Sequence, residues 1–153
     1  MRAYCLASNG MVSWESHERV QDKAELSSET ELEAFMKIAI VGSRDYPTRS
    51  EVEAFVYVLP QDTEIVSGGA RGVDTWAQLA AVKRGLKVTI FKAAWHIHGK
   101  GAGFWRNHDI VAYADKIVAF WDGESRGTAH TIQLAKDASK PVDIHVCNKV
   151  IHV

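Results

Sequence analysis

The sequence predicts an α/β fold, a Rossmann-like three-layer αβα domain on a five-stranded, mainly parallel sheet. From residue 37 onward, short apolar runs of strand length alternate with stretches of helical periodicity. Glycine-rich loops follow the first four of those runs. Strands separated by helices are joined by right-handed crossovers and lie parallel in one sheet.

The first strand is Ile38–Val41, an apolar run too short for a helix and suited to burial on both faces. Ser50-Glu51-Val52-Glu53 then reads as an S-x-x-E capping box. Val52, Phe55, Val56 and Leu59 recur at helical spacing, and Pro60 ends that helix. The second strand is Glu64–Ser67. The second helix runs from Asp74 to Arg84, with Ala77, Ala80 and Ala81 toward the sheet and Gly85 at its C-terminal cap. Lys87–Phe91 is the third strand. A long connection from Lys92 to Phe104 leads to a helix over Trp105–Tyr113 and a fourth strand, Lys116–Phe120. Thr128 is positioned to cap a helix reaching Ser139, and Val142–Val146 is the fifth strand. Residues 147–153 could add a short edge strand.

Residues 1–35 form a polar N-terminal extension, acidic through Glu15, Glu18, Glu25, Glu29, Glu31 and Glu33. It has no long apolar helical stripe, and the folded domain is expected over 36–153. With 153 residues the chain is long enough for one domain with a real core. The formal net charge of −1 gives no global cationic footprint, so nucleic acid is not expected as a partner. No apolar run is long enough to span a bilayer, and residues 1–15 lack the pattern of a signal peptide. Cys5 and Cys147 lack metal or redox spacing, and a cytoplasmic setting is expected.

Ligands of such sheets bind outside the carboxyl ends of the strands. Nine of the eleven glycines fall in the loops that follow strands one to four, all opening on that edge. The central stretch is Ser67-Gly68-Gly69-Ala70-Arg71-Gly72-Val73-Asp74, which reads as strand end, glycine loop and helix start. A helix start offers N–H donors and a positive dipole end, and Arg71 adds a planar cation, so the loop is a candidate phosphate cradle. Neither the dinucleotide fingerprint nor the P-loop spacing is met. Arg44, Arg71, Lys100, Arg106 and Arg126 lie in or beside these loops and point to an anionic ligand. Asp74 and Glu124 are candidate ribose acceptors or catalytic carboxylates. Trp95, Trp105 and Trp121 are candidates to stack on a base or to pack the loop bases. His96, His98 and His108 have no further ligands at suitable spacing, and no metal or cofactor is expected.

Gly42-Ser43-Arg44, the glycine loop 67–74, Gly103-x-x-Arg106-Asn107 with Ala114-Asp115, and Phe120-Trp121-Asp122-Gly123-x-Ser125-x-Gly127-Thr128 together resemble the SLOG superfamily. The likeness is to its branch of small stand-alone proteins related to YspA and YpsA, and it covers residues 37–146. The superfamily includes DNA-processing protein A, the Lonely Guy phosphoribohydrolases and predicted sensors of nucleotide-derived signals. The resemblance implies strand order 3-2-1-4-5, with Gly42–Arg44 and Trp121–Thr128 flanking the ligand. It also implies a phosphate loop at Gly68, Gly69 and Gly72, with Arg106 matching the catalytic arginine and Gly127-Thr128 the Gly-Thr of P-G-G-x-G-T-x-x-E. The glutamate of that motif falls on Thr131, and Asn107 replaces the lysine paired with the arginine. A hydroxyl cannot act as the carboxylate that this hydrolysis requires.

The expected function is therefore binding, and with it sensing, of a nucleotide or nucleotide-derived phosphorylated ligand. The expected ligand residues are Gly42, Ser43, Arg44, Ser67, Gly68, Gly69, Arg71, Gly72, Asp74, Arg106, Asn107, Trp121, Gly123, Ser125, Gly127 and Thr128. Two alternatives stay open: a nucleotide hydrolase cleaving an N-glycosidic or phosphoester bond, using Arg106 with Asp74, Glu124 or Asp122, and single-stranded DNA binding. A homodimer and an effector protein are the macromolecular partners left open.

Overall fold

A computed structural model describes residues 36–146 and 149–152. Residues 1–35 and Cys147, on which the extension and the cysteine reading rest, lie outside the described residues. The chain runs β1 (Lys37–Gly42), α1 (Arg49–Tyr57), β2 (Glu64–Ser67), α2 (Val73–Lys83) and β3 (Lys87–Ile90). It continues through α3 (Trp95–His98), a 3-10 turn (Gly99–Gly101), α4 (Ala102–Tyr113), β4 (Lys116–Phe120), α5 (Arg126–Asp137), β5 (Val142–Val146) and β6 (Lys149–His152). The sheet order is β3-β2-β1-β4-β5-β6. All neighbours are parallel except the antiparallel β5–β6 pair. The sheet thus has six strands rather than five, because the tail turns back and pairs Ile151 with Ile144.

Strand alternation divides the core into two layers. On one face Ile38 and Ile40 of β1 and Val118 and Phe120 of β4 pack with Val52 and Val56 of α1 and Val73, Ala77 and Ala81 of α2. On the other face Ala39 and Val41 of β1 and Ile117 and Ala119 of β4 meet Ile110 and Val111 of α4 and Ile132 and Ala135 of α5. The central strands bury both faces, which explains why they read as unbroken apolar runs.

Two long cations close helix ends. The Arg84 guanidinium donates to the carbonyls of Val56, Tyr57 and Leu59 at the end of α1, at 3.0, 2.6 and 3.1 Å. Lys140 donates through Nζ to the carbonyls of Val111, Ala112 and Ala114 at the end of α4. Each puts positive charge on carbonyls at the negative end of a helix.

Helix starts differ from the sequence expectation. The first helix is capped at Thr48, without a side-chain hydrogen bond, so Ser50 lies inside the helix and forms no capping box. In α5 the cap is Ser125, whose Oγ accepts from the Thr128 N–H, so Thr128 is the capped residue and not the cap. The stretch Lys92–Phe104 is not an open connection, since it holds α3, the 3-10 turn and the first turn of α4.

Candidate nucleotide site at the carboxyl edge

The sheet order puts β1 and β4 side by side, and their following loops are stitched together. The Ser43 N–H donates to the Phe120 carbonyl at 3.0 Å, and buried Ser43 Oγ accepts from the Asp122 N–H at 3.0 Å. Asp122 in turn accepts from the N–H groups of Glu124 and Ser125, both at 2.9 Å. The Glu124 N–H, first among these donors, holds the Asp122 carboxyl below its ordinary range, against the opposing effect of partial burial. Trp121 is half-buried and its Nε1 donates to the Ser125 carbonyl, which fixes the turn into α5.

The glycine loop after β2 is folded around its own carboxylate. Asp74, at the start of α2, is 4 % exposed. Its Oδ2 accepts from the N–H groups of Gly68 at 3.1 Å and Ala70 at 3.4 Å, while the Gly69 N–H donates to Ser67 Oγ at 3.2 Å. Burial pushes the Asp74 carboxyl up to about 6, although the Arg106 charge and N–H donors from Ala70, Gly68 and Gly42 pull the other way. The N–H groups of Gly68, Gly69 and Ala70 thus have acceptors within the chain, and a phosphate reaching those of Gly68 and Ala70 would have to displace Asp74. Arg44, Arg71 and Arg106 bring guanidinium donors to the same edge.

Arg106, in the second turn of α4, crosses to this loop. Its Nη1 donates to the Gly68 carbonyl at 2.6 Å, and its Nε to Asn107 Oδ1 at 3.2 Å. A side chain on Gly68 would meet the guanidinium at 2.5 Å. Gly72 has φ +82°, and a Cβ there would fall 2.6 Å from the Arg44 carbonyl oxygen. These two glycines let the β1 loop, the β2 loop and α4 approach one another. Asn107 is buried, with Nδ2 3.4 Å from the Gly127 carbonyl and 3.3 Å from His130 Nδ1. Burial, then the nearby His108, lowers the His130 pKa and favours its neutral form.

Two cavities open at this edge and share Arg44, Ala70 and Arg106 as a wall. The first, about 460 Å³, brings together the expected residues Gly42, Arg44, Asp74, Arg106, Asn107, Ser125, Gly127 and Thr128. It also contains Asp45, Asp122, Glu124 and Thr131. The second, about 620 Å³, gathers Gly68, Gly69 and Arg71 with Lys92 and Trp95. Ser43, Ser67, Gly72, Trp121 and Gly123 line neither cavity and act in the loops behind them. Lys100 and Arg126 also line neither. Thr131 is buried and donates to the Gly127 carbonyl at 3.1 Å. Lys92, Asp45 and Thr75 were not singled out from the sequence. Lys92 alone carried a signal, as a cation just beyond the carboxyl end of the third strand.

Trp95 of α3 lines the second cavity, and α4 carries two further exposed rings. Trp95, Phe104 and Trp105 are 59 %, 49 % and 59 % exposed. The His98 ring stacks on Trp105 at 5.4 Å, and Phe104 meets His130 edge-on at 4.7 Å.

Residues 26–98 match the family model for DNA recombination-mediator protein A. The gene 61 protein of Mycobacterium phage D29 is 39 % identical, over 69 % of this chain and 93 % of the phage protein. DNA processing protein A from Helicobacter pylori, whose structure concerns its single-stranded DNA binding mode, shares the fold with a TM-score of 0.61 and 24 % identity. That match covers 75 % of this chain and 68 % of the other. The Streptococcus pneumoniae protein aligns with a TM-score of 0.64 and 23 % identity, over 74 % of this chain and 51 % of its own length. These matches correct the expectation that nucleic acid is no partner, because this architecture serves a single-stranded DNA binder in the Helicobacter protein.

The physical reason is charge distribution. Residues 1–35 carry seven Asp and Glu against three Lys and Arg, while residues 36–153 carry fifteen Lys and Arg against twelve Asp and Glu. The whole-chain charge averages these two parts, and recognition depends on the local surface.

Proposed function

The chain belongs to the SLOG superfamily, in the group related to DNA-processing protein A, and on that premise we propose that its carboxyl edge binds single-stranded nucleic acid. One observation carries the reading. The second cavity is lined by Arg44, Arg71, Lys92 and Arg106 with no carboxylate, together with the exposed ring of Trp95. Sequence-independent strand binding needs this pairing of cations for the backbone with aromatic faces for unstacked bases. Guanidinium groups suit phosphodiester oxygens because their planar donors match two oxygens at once. The binding mode of the Helicobacter relative supports the same class of ligand.

A second reading, a free nucleotide or nucleotide derivative, is favoured by the first cavity. Its volume of about 460 Å³ lies within the usual small-molecule range, and its lining mixes cations, hydroxyls and carboxylates. Hydrolysis of the Lonely Guy kind finds little support, since Thr131 is a hydroxyl committed to the Gly127 carbonyl and Asp74 is committed to the glycine loop.

Fluorescence anisotropy with a labelled oligothymidylate, titrated against salt, tests the main reading. Saturable binding that weakens with rising salt is expected, since phosphate contacts release counterions. Binding of nucleoside monophosphates by calorimetry, with no saturable binding of the oligonucleotide, would overturn strand binding in favour of the second reading.

A further inference from the structure

The two cavities differ in charge across their shared wall. On one side Arg71 and Lys92 join Arg44 and Arg106, with no carboxylate in the lining. On the other the same two arginines face Asp45, Asp74, Asp122 and Glu124. Resting on the strand-binding reading, we propose that the acidic cavity receives the terminal nucleotide of the strand, hydroxyl end inward, while the basic cavity holds the phosphates that follow.

The argument is electrostatic. A nucleotide inside a strand is flanked by a phosphodiester on each side. Threading such a unit past Arg44 and Arg106 would set its second phosphate among the carboxylates, where like charges repel. A terminal unit has one phosphodiester, which stays at the arginine wall, and at its other end a hydroxyl. Carboxylates accept strong hydrogen bonds from hydroxyls, so the lining that rejects the interior unit holds the end. Asp122 is suited to this, since N–H donors from Glu124 and Ser125 keep it ionised. Val41 and Ile110, both buried, give the cavity an apolar floor on the sheet side for a sugar or base. The hydroxyls of Ser125 and Thr128 stand in the wall and add neutral polar groups.

The test is competition binding with the full-length protein and four ligands of one sequence and length. These are a linear strand with hydroxyls at both ends, the same strand with a 3′-phosphate, the same with a 5′-phosphate, and a covalently closed circle. The linear hydroxyl strand is expected to bind about 10-fold or more tighter than the circle. Phosphorylating one end should cost a comparable factor and phosphorylating the other should cost little, which identifies the seated end. Glu124→Gln, at an exposed side chain, should narrow the discrimination against the phosphorylated end. Equal affinity for circle and linear strand would overturn terminal seating and leave strand binding intact. No saturable binding of any ligand would remove strand binding and this inference together.

Discussion

Asp74 makes a prediction whose sign and size follow from the structure. Its carboxyl is nearly inaccessible, and burial raises its pKa from the ordinary 3.8 to about 6. A carboxyl with a folded pKa above its unfolded one binds its proton more tightly in the folded state. Its contribution to stability is therefore fully present below pH 3.8 and is lost as pH rises through about 6. The interval between the two values corresponds to about 3 kcal/mol. In a domain of this size that amounts to a shift of about 10 °C in melting temperature.

Asp74→Asn removes this titration while keeping an oxygen to accept from Gly68 and Ala70. The assay is denaturant or thermal unfolding of both proteins between pH 4 and pH 8. Glu64, Asp122 and Asp143, whose pKa values are lowered in the folded state, titrate in both proteins and cancel in the difference. Stability of the wild type minus that of the variant should fall by about 2.5 kcal/mol between pH 4 and pH 8, the rest of the effect lying below pH 4. A difference that stays constant with pH would refute the reasoning, and Asp74 would then be no more than a loop acceptor.

Arg106→Ala should weaken oligonucleotide binding by about 1.5–3 kcal/mol, the worth of a charge-assisted hydrogen bond, and unchanged anisotropy titrations in a folded variant would remove Arg106 from the anion site. Trp105→Ala should reduce affinity by about 1–3 kcal/mol if a base stacks there, with little change in melting temperature since the ring is exposed. Gly72→Ala should destabilise by about 2–4 kcal/mol through positive φ and contact with Arg44. Gly123→Ala, at φ +89° with open space around it, should lose only about 1–2 kcal/mol, and equal losses at both glycines would refute the close-approach account. A chain beginning at Met36 should melt within about 8 °C of the full chain, as differential scanning calorimetry can check.

The strands were legible to within a residue at each end: β1 runs Lys37–Gly42 where the run Ile38–Val41 indicates it, and β3 ends at Ile90 rather than Phe91. Glu64–Ser67, Lys116–Phe120 and Val142–Val146 have the bounds that their apolar runs indicate. Those runs also order the loops, so the sequence alone determined which edge carries the glycines and arginines. Helix starts were less legible, because several Ser and Thr residues compete to cap and only backbone geometry selects Thr48 and Ser125. The stretch Lys92–Phe104 hid its helical turns because its glycines read as loop.

The site itself needed tertiary structure. Asp74 in sequence is an acidic residue in a first helical turn, and only folding encloses it and aims the glycine-loop N–H groups at it. Arg106 meets Gly68 across 38 residues, a contact that no local spacing encodes. Charge taught the same lesson. A sum over the chain cannot see that folding sets Arg71 and Lys92, without a carboxylate, on one side of a wall formed by Arg44 and Arg106, and four carboxylates on the other. Electrostatic attraction acts over distances of roughly a Debye length, about 8–10 Å, so it is set by which side chains the fold brings within that range, and only the tertiary structure decides that.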